Sequence, residues 1–300
     1  MAYIKNDNIF NITYNLDYKN KKFAVIQRIC EGCGLFSFYK YNLGCIHKFL
    51  IEGYIPIIDI KSFPNIINGF NTTQNNIWDF FFEQPFKYTL EGVVRNAKNI
   101  TYFRIGSCQP MPENIKMPFD DIIINFWHNF AKRYSPVKSE LIDLANKFMT
   151  KLFKNSKNIL GVLARGTDYI ANKPSLHPIP PKISDLILDI KKMDQKFIYD
   201  YIFFSTEDDK IREILIKTFA FKIKHIQPKF KINYNYKENR YIGYNKNIKG
   251  NYEFNKIYLL NIIILSKCLD LIAARCNGII GVLILSDGFR NKKIYNLGQY

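Results

Sequence analysis

Arg165-Gly166-Thr167-Asp168 puts a guanidinium, a flexible backbone, a hydroxyl and a carboxylate in succession, directly after an apolar run from Ile159 to Ala164. A guanidinium grips a diphosphate through two parallel hydrogen bonds, a glycine lets backbone approach a ligand, and a carboxylate orients the arginine or accepts a hydroxyl. Arg165 and Asp168 are therefore candidate catalytic residues, and Arg165, Gly166 and Thr167 candidate ligand contacts. The same four residues also suit a surface turn closed by one salt bridge, and the sequence leaves both readings open. Two further polar clusters end apolar runs: Ser205-Thr206-Glu207-Asp208 and Ala274-Arg275-Cys276-Asn277-Gly278. Ser205, Thr206, Glu207, Asp208, Arg275, Asn277 and Gly278 join the candidate nucleotide contacts. Asp208 and its neighbours also suit the N-cap of a following helix, as Asn277 does for the next. Glu83 closes the aromatic stretch at 77 to 85 and is a candidate base, because a carboxylate beside aromatic surface can acquire a raised pKa.

The elements that must position these residues alternate. Apolar runs at 23–29, 54–60 and 100–105 read as strands in the first half, with helices at about 38–50 and 89–97. Cys30 to Gly34 is a glycine-bearing loop that either cradles a phosphate or simply turns the chain. Helices at 119–134 and 137–153, broken at Ser135-Pro136, lead into the second half. There, strands at 159–164, 201–204, 222–226, 269–274 and 293–297 alternate with helices. Such alternation with crossover helices forces parallel sheets, whose ligand crevice lies at the carboxyl ends of the strands. The expected fold is α/β, with two Rossmann-like domains facing a cleft: residues 1–135, a linking helix at 136–157, and residues 158–300. Trp78, Phe80, Phe81 and Phe82 suit either a sugar platform or core packing. Residues 227–250, rich in Tyr, Asn and Lys, form a connection longer than most in α/β units, either a mobile flap or a surface insertion.

Composition narrows the function classes. The 300 residues, 47% of them hydrophobic, are enough for two globular domains. No apolar run reaches the length of a membrane span, and the first thirty residues lack the apolar core of a signal peptide, so a cytoplasmic location is expected. The six cysteines are expected as reduced thiols, with no metal site at Cys30-x-x-Cys33. The net charge of +17 favours anionic partners, among them nucleotide sugars and an anionic membrane surface. No zinc-finger spacing, aromatic RNP motif or basic helix points to nucleic acid.

Three stretches carry a resemblance. GVLARGTDY (161–169) is similar to the arginine-bearing first motif of the α-1,2-, α-1,6- and protein O-fucosyltransferase superfamily, FFSTEDDKI (203–211) to its second, and LIAARCNGIIGVLILSDG (271–288) to its third. The resemblance covers about residues 158 to 298. It implies a GT-B fold and an inverting transfer from a GDP-sugar without a metal, with no other cofactor. It implies a glycan acceptor, lipid-linked in some pathways, in bacterial surface polysaccharide or lipopolysaccharide assembly at the inner face of the membrane. Leu163 and a single Arg165 stand where the family often has a histidine and a double arginine. Residues 169 to 181 hold no carboxylate, so Asp168, His177 and Glu83 remain alternatives for the base. A nucleotide-binding protein that has lost transfer is the alternative of another class, and a basic nucleic-acid binder is a third.

Overall fold

A computed structural model describes residues 17–30, 33–62, 75–106, 120–226 and 252–300. The first half runs β1 (Lys22–Ile29), α1 (Leu35–Ile51), β2 (Ile55–Asp59), α2 (Trp78–Phe81), α3 (Leu90–Asn96), β3 (Asn99–Gly106) and α4 (Asp121–Tyr134). After α5 (Ser139–Phe153) come β4 (Ile159–Leu163), α6 (Asp168–Ala171), α7 (Ile183–Phe197), β5 (Tyr201–Ser205), α8 (Asp209–Phe219) and β6 (Ile223–Lys224). The chain closes with α9 (Tyr252–Ser266), β7 (Asp270–Ala274), α10 (Asn277–Leu285) and β8 (Asn291–Tyr295). The expected flap at 227–250, and Gly32 of the expected turn, lie outside the described residues.

Both sheets are wholly parallel, in the orders β2-β1-β3 and β6-β5-β4-β7-β8. Strands covered by helices on both faces lose the alternation of a half-exposed strand, and β4 and β7 are buried at every position. In the second sheet the chain builds outward from β4 to β6, then returns through α9 to start β7 on the other side. That reversal opens a crevice between the carboxyl ends of β4 and β7, where the chain crosses from one side of the sheet to the other. The ends concerned are those that carry Arg165 and Arg275.

The two halves share one apolar core. It joins α1 and α4 to α9 and α10 and takes in Phe36, Phe49, Trp127, Ile263 and Leu283. α1 and α4 pack on α10, and α5 packs on α9. Contact between α1 and α10 is close because Gly281 has no side chain: a Cβ there would overlap the Phe36 ring. The aromatic stretch serves this core, with Trp78, Phe81 and Phe82 fully buried and Phe80 42% exposed. α1 ends where its pattern predicts, with Glu52 as C-cap and Gly53 at φ 80°.

The expectation of six reduced thiols is corrected at one place. The turn after β1 brings the Cα atoms of Cys30 and Cys33 to 5.5 Å, within disulfide range, and the two are bonded. Cys45, Cys268 and Cys276 are free.

The amino ends of β7 and β8, opposite the crevice, hold a separate polar centre. Asp270, fully buried, accepts from Arg290 Nη2 at 2.5 Å, from the Asn291 backbone at 2.7 Å and from the Tyr199 hydroxyl. No motif marks this cluster, and its donors come from two separate parts of the chain, Tyr199 before β5 and Arg290-Asn291 at the start of β8.

Candidate nucleotide-sugar site

Arg165 sits one residue beyond Ala164, whose N–H donates to Ser205 O at 3.0 Å, so the ends of β4 and β5 are level. This brings the first two polar clusters together. Arg165 Nη2 donates to Asp168 Oδ1 and Nη1 to Glu207 Oε1, each at 2.8 Å. The guanidinium also lies over the Tyr169 ring, 4.4 Å from its centroid. Burial alone would lower the pKa of Arg165, but Glu207 and Asp168 outweigh it and hold the group well above its ordinary value. Two of the five N–H donors of the guanidinium are thus used to fix its plane.

The backbone between these groups is held as firmly. Gly166 N–H donates to Glu207 Oε1 and Thr167 N–H to Asp208 Oδ2, both at 2.8 Å. A Cβ on Gly166 would lie 2.5 Å from Asp208 Oδ2, so only glycine lets the two loops close. Thr167 takes a left-handed φ of 43°, a strain these bonds over-determine. Its hydroxyl lies 3.1 Å from both Asp168 Oδ1 and Glu207 Oε1. Asp208 also caps α8, accepting from Lys210 and Ile211 N–H, while its own N–H donates to Thr206 Oγ1 at 3.1 Å. The capping and site readings of this residue hold together.

The third cluster lies across the β4–β7 crevice. Arg275 donates to Asn296 Oδ1 at 3.1 Å. Cys276, not Asn277, is the N-cap of α10, because the extended backbone at φ −166° falls on Cys276 and Asn277 already belongs to the first turn. The Cys276 thiol, raised by burial, is lowered in turn by Arg165 and by the Ile279 and Gly278 N–H groups, which places it between the arginine and the helix start. Space above Gly278 is filled from within: a Cβ there would meet the Tyr258 hydroxyl at 2.5 Å. Tyr258, on α9, is a site residue without a sequence signal. Burial raises its pKa, and Cys276, Arg165, Glu207 and Tyr169 all act on its hydroxyl.

The three candidate bases fare differently. Asp168 is 2% exposed and its Oδ1 accepts from Arg165, Thr167 Oγ1 and Tyr169 N–H, the surroundings of a holder of the arginine. His177 meets the site through Tyr169, ring edge to ring face at 5.2 Å, with Nδ1 3.1 Å from Ser175 O. Glu83 pairs with Lys138 at 2.9 Å, and its backbone joins the start of the linking segment. The nearby Asp79, without a sequence signal, is the perturbed carboxyl: burial pushes it up to about 6, against a hydrogen bond from Gln84 Nε2 at 2.8 Å. A folded-state pKa above the unfolded value means stability that is full below about pH 4 and lost as the pH rises through 6. Asp79→Asn keeps the Gln84 bond and is expected to stabilise the protein at pH 7.5 by ~2 kcal/mol and to leave it nearly unchanged at pH 4, as chemical denaturation at the two pH values will show. Among the described residues no group of three or more His, Cys, Asp or Glu side chains is set to hold a metal, and no helix is long and apolar enough to cross a membrane.

Two wholly parallel sheets, the second with its strand order reversed at β4 beside a single crevice, are the GT-B arrangement, a fold shared with solved fucosyltransferases. The chain matches solved structures of that class over most of its length. They include POFUT1 in complex with GDP (TM-score 0.52, 10% identity, 92% of this chain and 99% of that one). The fucosyltransferase NodZ from Bradyrhizobium is similar at TM-score 0.53 and 13% identity, over 89% of this chain and 94% of that one. A mutant of Arabidopsis thaliana FUT1 in complex with GDP is similar at TM-score 0.52 and 9% identity, over 96% of this chain and 73% of that one. At such identities the likeness establishes the fold. No family model and no curated protein matches the chain by sequence.

Proposed function

We propose that the protein is a glycosyltransferase of the fucosyltransferase type, taking its sugar from a GDP-sugar, with L-fucose the best candidate, and passing it to a glycan acceptor. The observation that carries this reading is the Arg165 fork, fixed by Asp168 and Glu207 at the β4–β7 crevice. In the transfer an acceptor hydroxyl attacks the anomeric carbon, the bond from that carbon to the diphosphate oxygen breaks, and GDP leaves with the bonding electrons. Negative charge grows on the leaving oxygen, so a planar donor pair held ready there acts mainly in the transition state. The chain offers guanidinium and ammonium groups for this neutralisation, which is the basis for proposing transfer without a metal. Single displacement with inversion follows if the acceptor enters opposite the leaving group. The +17 charge supports an acceptor or surface of anionic character, and we place the acceptor in bacterial surface polysaccharide or lipopolysaccharide assembly, with the cytoplasmic membrane face as the site of action.

A panel of GDP-, UDP- and CMP-sugars tests the donor class by thermal stabilisation. GDP-sugars alone should raise Tm, in EDTA as well as without it. Stabilisation by every nucleotide alike, or by none, contradicts the reading, and salt-sensitive binding to DNA or RNA in its place would favour the nucleic-acid alternative.

A further inference from the structure

Arg165 can meet the leaving oxygen, but its charge is already balanced by two carboxylates, so it leaves most of a diphosphate's charge unmatched. One guanidinium there is shared by the carboxylates of Asp168 and Glu207, and the Asp208 carboxylate sits beside them on the Thr167 N–H. An anion brought to that edge needs positive charge from somewhere else, and the first half of the chain carries it. Arg28, near the end of β1, is 5% exposed with no carboxylate partner among the described residues. It donates to Ser37 O at 2.6 Å in the first turn of α1, touches Cys33 Sγ at 3.3 Å and lies over the Tyr41 ring at 4.1 Å, while its buried Nε has no partner. Lys40 follows one turn further along α1, half-buried and close enough to both Arg28 and Arg275 to be repelled by each. Arg275 reaches this group from the second sheet because α1 packs directly on α10, with Phe36 against Gly281 and 5.4 Å from the Tyr258 ring. At the start of α1, Gly34 gives no side-chain cap, and among the described residues nothing lies within 4 Å of where its Cβ would be.

Three cations with no carboxylate between them among the described residues are a costly arrangement when nothing is bound. Burial pushes Arg28 down to about 10, and burial with the two arginines pushes Lys40 down to about 8. A doubly charged anion relieves both the desolvation and the mutual repulsion.

We propose that Arg28, Lys40 and Arg275 form an anion site for a diphosphate group, built from both halves of the chain and set one strand from Arg165. Arg28 is the buried cation behind it, and Lys40 and Arg275 are the groups that touch the ligand. The diphosphate belongs either to the nucleotide donor or to a diphosphate-linked acceptor. Only the choice between them rests on the transferase reading.

The test uses inorganic pyrophosphate, GDP and guanosine on the full chain, with Lys40→Met, Arg275→Gln, the double variant and Lys40→Arg. Native protein should bind pyrophosphate, each single neutral variant should weaken it about tenfold, and Lys40→Arg should retain it. Removal of a repelled cation should leave the Tm of ligand-free Lys40→Met equal to or above that of the native protein, which guards against a folding defect. If GDP affinity falls in parallel, the donor diphosphate occupies the site. If GDP binding is unchanged while pyrophosphate binding falls, the acceptor diphosphate occupies it. Failure of native protein to bind pyrophosphate, or equal binding by the double variant, overturns the site. Absence of GDP-sugar turnover with pyrophosphate binding intact would instead count against the transferase reading alone.

Discussion

Arg165→Lys is expected to fold, to bind donor modestly less well and to lose about a hundredfold or more in kcat, the scale of removing one oxyanion donor. Lysine keeps the charge but cannot hold Asp168 and Glu207 with one planar group and still present a donor pair to the ligand. The interaction strengthens as the sugar departs, so the loss should appear in kcat more than in KM. Arg165→Ala is expected to lose more on both counts. It leaves the buried Asp168 without its cation, which costs roughly 3 kcal/mol or more of stability besides activity. Tm and turnover measured on the same variants separate the two effects: an arginine that served only to close a turn would lower Tm in both variants and leave transfer nearly intact in Arg165→Lys.

The largest pure stability effect is expected far from the crevice, at Asp270. Asp270→Ala removes the acceptor of Arg290, Asn291 and Tyr199 together, at a cost of about 3 kcal/mol. For a chain of this size that is a fall in Tm of roughly 5 to 10 °C, with donor affinity unchanged. Burial would raise the Asp270 carboxyl, yet the bonds from Arg290, Tyr199 and Asn291 hold it below its usual range. A depressed folded-state value means that this stability is full above about pH 4 and is lost as the pH falls below it. The gap between native protein and Asp270→Ala, followed by denaturation from pH 7 to pH 3, should therefore narrow at the acid end. A constant gap would mean that the carboxylate's charge is not what holds the cluster.

Most of the fold is legible from the sequence because the strands that matter are short, wholly apolar and closed by polar clusters. Ile159–Leu163 and the Leu271–Ala274 part of β7 declare themselves in this way, and the parallel order follows from the helices between them. The parts of the site that local chemistry decides were equally visible, as with Asp208 at the start of α8. What escaped depends on distance in sequence. Glu207 reads as a ligand contact from its motif, and its hold on Arg165 and the Gly166 N–H arises only because β4 and β5 pair in register. Tyr258 arrives from the middle of an apolar helix with no motif around it, and the cations of the proposed anion site, Arg28 on β1 and Lys40 on α1, come from the first half of the chain. The Cys30–Cys33 bond depends on a turn geometry that spacing alone does not give. Asn277 yielded the cap of α10 to Cys276 because helix boundaries turn on a single extended residue.

The most direct test is a time course of GDP-fucose with the native protein, followed by proton NMR without an acceptor and then with a mixed glycan acceptor pool. GDP should accumulate slowly in the first case and faster in the second, and the newly formed sugar linkage should carry the anomeric configuration opposite to that of the donor. GDP-fucose that stays intact in both, under conditions where GDP binds and the protein is folded, would contradict transfer and leave a nucleotide-binding protein in its place.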